Sequence, residues 1–342
     1  MRRIRSADAV VCLGVCLIAA CSADAPTAAS PAASFATTST QSTGSGGSCG
    51  QAGHPSGTIL DTVQVPLPWG VAVRDDGLAY FTELLNASVG ITSTKTRTVT
   101  GTIPVGQVPT GIAFSPDGGT AYAANQDATV SVIDVASATT TGTISTNGMA
   151  AFAVQVSPDG SQLFVGGSGS VVEVIDLQSA QVVNSINTGF AVNAFAVAPD
   201  NRMLYASAFV GGTVTEIDIF TQTALRTFSV GGTPQGLALN RKATHLYVGN
   251  EAGYLNDIDL TTGQVGANIP LAGGAFGVGV TPDDNQAYIA IPSQGVVQIF
   301  SLQTRKLTGS LAVGGQPRRI AFSQLGKIGA VTNQSGFLSF VR

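Results

Sequence analysis

The chain has 342 residues, of which 42 are Gly and 11% are charged, and its formal net charge is −4. That length buries one large core, while 16 Lys and Arg against 20 Asp and Glu exclude a nucleic-acid-binding surface built on clustered positive charge. Val, Thr, Ala and Gly dominate and no stretch carries a long amphipathic helical pattern, so the chain reads as short strands and tight turns.

Arg2, Arg3 and Arg5 precede a short apolar run, Ala9 to Ala20, too short to span a bilayer comfortably. The run ends Leu17-Ile18-Ala19-Ala20-Cys21, which resembles a bacterial lipobox, whose cysteine takes a diacylglycerol. Residues 1–21 are therefore expected to be a lipoprotein signal peptide, with Cys21 the lipidated residue and the membrane a partner through that anchor. The alternative is ordinary cleavage after Ala25, since Ala23-Asp24-Ala25 fits a small-x-small site, giving a freely secreted protein. Loss of Arg2, Arg3, Arg5 and Asp8 takes the net charge to −6. Cys12 and Cys16 leave with the leader, so Cys49 alone remains and neither a disulfide framework nor Cys-His metal spacing exists.

Residues 22–55 are mostly Ala, Ser, Thr, Pro and Gly, with one acidic residue, Asp24. Such a stretch buries too little apolar surface to offset ordering and reads as a tether, with a reach of about 30 Å as a flexible coil.

Residues 56–342 are organised by a repeat. The turn residues Asp76, Asp117, Asp159, Asp200, Lys242, Asp283 and Leu325 follow one another at intervals of 41 or 42. A fixed period of that size marks stacked supersecondary units. In residues 109–148, Ile112–Ser115, Ala121–Asn125, Thr129–Asp134 and Thr141–Ile144 read as four short strands, the third with an alternating pattern. Four strands per unit make one propeller blade. Blades begin near Trp69, Thr110, Phe152, Asn193, Gln235 and Phe276. A seventh begins near Arg318 with only three strands before Arg342. The missing outer strand is Thr58–Val65. The expected fold is therefore all-β: a single seven-bladed β-propeller of four-stranded blades, closed by pairing the N-terminal strand into the last blade, which removes an exposed sheet edge.

The repeat residues also carry a family resemblance. Tyr122-Ala123-Ala124-Asn125, Tyr247-Val248-Gly249-Asn250 and Ala330-Val331-Thr332-Asn333 resemble the name motif of the YVTN-repeat, YncE-like propellers of bacterial surfaces and periplasm. Ser115-Pro116-Asp117-Gly118, Ile133-Asp134 and Val105–Gly111 agree with it. The resemblance implies the fold and an exported protein, periplasmic or facing the cell surface. Relatives by fold include lactonases, an antibiotic lyase, haem-d1 domains and non-catalytic surface proteins, so activity does not follow from it.

Most motif residues have structural readings. The turn aspartates bond their own backbone. Tyr80, Tyr122, Phe164, Tyr205, Tyr247 and Tyr288 pack between blades, and Ala330 leaves one interblade gap to be filled otherwise. Function is expected where the blades differ, at the channel mouth. One ring there is Trp69, Thr110, Phe152, Asn193, Gln235, Phe276 and Arg318; a second is Glu83, Asn125, Gly167, Ala208, Asn250, Ile291 and Asn333. The aromatic, amide and guanidinium groups of the first ring suit a flat or anionic small molecule or a peptide segment. Plugging of the mouth by the same side chains is the competing reading. Glu83, Asn125, Asn250 and Asn333 are polar candidates beside that rim. The primary expectation is a ligand- or protein-binding module with no cofactor, catalytic or metal-ligating residue. The alternative is a metal-dependent lactonase-like or lyase-like enzyme using Glu83, Asn125, Asn250 and Asn333, although one carboxylate is thin for a divalent site. His54 falls in the tether, and His245 reads as a solvent-facing strand or turn residue away from the rings.

Overall fold

The computed structural model describes residues 57–323, 325 and 327–342. The expected leader with Cys21, and the expected tether 22–55 with Cys49 and His54, lie outside them. Within the described residues the strands form seven antiparallel sheets arranged as a propeller. The inner strands are Pro68–Val73, Pro109–Phe114, Ala151–Val156, Val192–Val197, Pro234–Leu239, Val278–Val280 and Pro317–Phe322. The first six open sheets that meander outward in chain order, as expected from the 42-residue repeat.

The seventh sheet closes the ring. Ile59–Gln64 pairs with Phe337–Val341, with Thr62 opposite Ser339 and Val63 opposite Leu338. Thr58 N donates to Arg342 O at 2.6 Å and Arg342 N returns a bond to Thr58 O at 2.9 Å, so the chain's last residue is locked to its first strand. Blade 5 departs from the simple plan. Its outer strand is split into Gln264–Val265 and Ile269–Pro270, both paired with Tyr254–Asp259.

The repeat aromatics are buried, from Phe164 at 0% to Tyr122 at 7% exposure, and pack blade to blade. Tyr80 meets Phe114 of blade 2 with ring centroids 5.0 Å apart, and Tyr288 meets Phe322 of blade 7 at 5.2 Å. The gap at Ala330 is filled from two sides. Phe340, directly opposite Ala330 across the strand pair, is fully buried. Phe81 of blade 1 packs on Leu338, Val63 and Val65, and Gly90 opposite it leaves room, since a Cβ there would lie 2.1 Å from the Phe81 ring.

The turn aspartates act on their own turns. Asp117 Oδ1 accepts from Gly119 N at 3.0 Å, Asp159 Oδ1 from Ser161 N at 3.0 Å and Asp283 Oδ1 from Asn285 N at 3.2 Å. His245 corrects its sequence reading. It is only partly exposed, and its Nδ1 lies 2.8 Å from Oδ1 of buried Asp257, whose Oδ2 lies 2.6 Å from Arg305 Nη2 of blade 6. The carboxylate that engages it lies twelve residues on, on the neighbouring strand, which local sequence could not reveal.

Candidate ligand-binding site

The mouth is built by one recurrent irregularity. Near its start the inner strand shifts register against the second strand, between Pro68 and Val71, Pro109 and Gly111, Ala151 and Ala153, Val192 and Ala194, Pro234 and Leu237, and Pro317 and Ile320. Such bulges re-aim side chains, and each places a residue of the first ring. Hydroxyls on the second strands pin them. Thr332 Oγ1 accepts from Arg319 N at 2.9 Å and donates to Trp69 O of blade 1 at 2.6 Å. Thr82 Oγ1 accepts from Gly70 N at 2.8 Å, and Ser207 Oγ donates to Gln235 O at 3.2 Å.

The residue after each first-ring position is Gly70, Gly111, Ala153, Ala194, Gly236, Gly277 or Arg319. Glycine is required where blades crowd: a Cβ at Gly70 or Gly277 would sit 2.3 Å from a backbone oxygen of the next blade. Arg319 is the exception. Its Nη2 crosses from blade 7 to donate to Asn193 O of blade 4 at 2.9 Å. With Thr110, Phe152 and Asn193, Arg319 lines a cavity of about 160 Å3 to which all the inner strands contribute.

The structure brings together Trp69, Phe276 and Arg318, which belong to blades 1, 6 and 7. Trp69 and Phe276 meet edge to face at 5.5 Å. The Arg318 guanidinium carbon lies 5.0 Å from the Trp69 ring centre and 4.6 Å from that of Phe276, and Arg319 lies 4.8 Å from Phe276. Arg318 Nε also donates to Gln334 Oε1 at 2.8 Å. Asn193 Nδ2 donates to Gln235 Oε1. Thus one side of the mouth is an aromatic and cationic cluster, and the other borders the cavity.

Burial pushes both guanidiniums down, Arg319 to about 10, with the neighbouring Arg318 charge acting in the same direction. Both remain cations at neutral pH. Among the described residues neither has a carboxylate within the 4.0 Å of an ion pair. Gln334, a backbone carbonyl and aromatic faces hold them, and none of these carries a negative charge.

The second-ring residues sit outside this cluster. Glu83 is buried; its Oε2 accepts from Ser88 Oγ at 2.5 Å and Asn86 Nδ2 at 3.4 Å. Asn250 Oδ1 accepts from Thr233 N and Ala252 N, at 2.8 and 3.1 Å, while Nδ2 donates to Gly231 O at 2.9 Å. Asn333 repeats this clamp with Gln316 N, Ser335 N and Gly314 O. Asn125 Nδ2 donates to Thr129 and Ser131, since Asp127 takes the linker amide of Gln107 instead. Among the described residues no three His, Cys, Asp or Glu side chains converge as metal ligands would. Sequence reasoning missed Gln334 and Thr332. A comparison of equivalent positions exposes Thr332, because Thr82 and Ser207 also carry hydroxyls there, but nothing singles out Gln334.

Fold and site together define a closed seven-bladed propeller with a cationic, aromatic mouth. The family model for YNCE-like beta-propellers matches residues 84–285. The chain belongs to the YNCE-like beta-propeller family. Among curated proteins none matches it. Among solved structures, one titled Kuenenia stuttgartiensis Hydrazine Synthase is similar, with TM-score 0.75 and 21% identity over 85% of this chain and 99% of that one. At that identity the likeness is one of fold alone.

Proposed function

We propose that the protein is an exported, lipid-anchored binding module that takes an anionic ligand at the channel mouth. One observation carries the binding reading: Arg318 and Arg319 stand together at the mouth with only uncharged groups in direct contact, while the Glu251 carboxylate acts on both from beyond ion-pair distance. Desolvated guanidiniums are costly without a counter-charge, and their planar forks match carboxylate or phosphate oxygens. Gln334 and Asn193 hold the two forks in place, so little ordering is left for binding to impose. The anchoring reading rests on the lipobox-like Leu17–Cys21 segment.

Trp69, the only Trp of the chain, touches Arg318 and so reports on the site. Titration of the whole protein with sodium benzoate is expected to change Trp69 emission and raise the melting temperature. Arg319→Gln should weaken that response by about 1.5–3 kcal/mol, the range for a hydrogen bond to a charged group. A response equal in wild type and Arg319→Gln would move the anion site elsewhere.

A further inference from the structure

We propose that the ligand is a peptide segment of a partner protein, carrying a carboxylate next to apolar side chains, rather than a flat small molecule. The proposal rests on the anion-binding reading and names the ligand's class.

Two observations lead there. The first is that two of the three aromatic groups of the mouth, Trp69 and Phe276, are engaged with each other and with the guanidiniums, while Phe152 lines the cavity. Phe276 carries Arg318 and Arg319 over its ring and Trp69 at its edge, and Trp69 in turn carries Arg318. A flat ligand would have to displace a guanidinium to stack there. A compact carboxylate needs only the guanidinium edges.

The second is that accessible apolar surface lies around the mouth, on the same face. Phe190 is 45% exposed and Val210 63% exposed. Phe190 lies in the linker that enters blade 4, and Val210 in the loop between the second and third strands of that blade. The two are adjacent, because the Phe190 ring lies over Gly211: a Cβ there would come within 2.2 Å of Phe190 Cδ2. Three residues beyond Phe190 is Asn193, whose carbonyl holds Arg319. An apolar patch and a cationic pocket are therefore joined by one short segment of chain. Leu85, 75% exposed in the corresponding loop of blade 1, adds an apolar point on the same face.

Exposed aromatic and aliphatic groups beside a charged anchor are the make-up of a protein-recognition surface. Charge decides the partner's sign. The pocket is positive, so the complementary segment is acidic at one position and apolar beside it.

The test uses the full chain and three probes: sodium benzoate, a pool of Ac-X-X-Glu-X-X-amide peptides with X drawn from Phe, Leu, Val and Ser, and the same pool with Gln in place of Glu. Trp69 emission is the readout. The Glu pool is expected to act at about a tenfold lower concentration than benzoate or the Gln pool. Phe190→Ser and Val210→Ser should each weaken the Glu pool by about fivefold and leave benzoate unchanged. Arg319→Gln should weaken both. Both apolar positions are exposed, so these variants fold, and their melting temperatures check that. A Glu pool no better than benzoate, or one indifferent to Phe190→Ser and Val210→Ser, would overturn the peptide proposal while leaving the anion site standing. Silence from all three probes would overturn both.

Discussion

Single side chains in this propeller are set by what burial and local bonds do to their charge. Glu173 is 3% exposed, its Oε2 has no partner, and burial raises its pKa above the usual carboxylate value. A raised carboxyl favours the protonated folded state, so its cost appears as pH rises through the ordinary Glu range. Glu173→Gln is expected to raise the melting temperature at pH 7 by about 2–4 °C, the effect of about 1 kcal/mol in a domain of this size, and to change little at pH 4. An equal effect at both pH values would refute the burial argument. The turn aspartates behave oppositely. The Arg74 hydrogen bond draws Asp76 down to about 2, and the Ser157 and Thr261 hydroxyls do the same for Asp159 and Asp259. Depressed carboxyls stabilise above their unfolded value, near 3.9, and lose that contribution as pH falls toward 2. Thermal melts by circular dichroism should therefore decline between about pH 4 and pH 2, and Asp159→Asn should flatten the decline.

At the scale of elements, one strand does a job no other strand repeats. Ile59–Gln64 is the outer strand of blade 7, hydrogen-bonded to Phe337–Val341 and continuous in the chain with blade 1, so it ties the first blade to the last. Its Val63 also helps cover Phe81 at the junction of blades 7 and 1. Deleting residues 57–65 uncovers Phe337–Val341 as an edge and opens that junction. Cooperative unfolding in denaturant is expected to be lost, with association appearing in its place. A deletion variant that melted cooperatively at the wild-type temperature would show that closure does not hold the ring. The split outer strand of blade 5 is a smaller departure. Gly266 N donates to Asp257 O at 2.9 Å within the interruption, so the break falls beside the carboxylate that His245 and Arg305 approach.

For the whole molecule, the ring converts seven small differences into one site. No blade holds more than a few of the mouth groups, and the cavity exists only because all inner strands surround it. Within the described residues, no helix is long and apolar enough to cross a membrane. In the proposal made above, the anchor is the lipid on Cys21. Fractionation of cells is expected to recover the wild-type protein with membranes and Cys21→Ser in the soluble fraction. Recovery of Cys21→Ser with the membranes would overturn lipid anchoring as the cause.

Much of the architecture is legible in the sequence, because a propeller repeats one local solution. The Asp turns, the alternating strands and the interblade aromatics each satisfy a requirement within some 42 residues, so their period alone discloses blade number, strand order and the need for an N-terminal closing strand. The first ring is legible for the same reason: equivalent positions can be compared, and Trp69, Phe276 and Arg318 stand out. What those residues touch is not. Arg319 meets Asn193, 126 residues away, and Trp69 meets Phe276 across the gap between the first and sixth blades. Asn250 and Asn333 look like mouth residues in a linear comparison, yet they clamp the loops that precede their own blades. Sequence by itself determined the repeat, its number and its closure, since these follow from short-range patterning. Only the tertiary structure decided which mouth groups converge and which are already occupied, because bulges and ring closure bring together side chains that no local period relates.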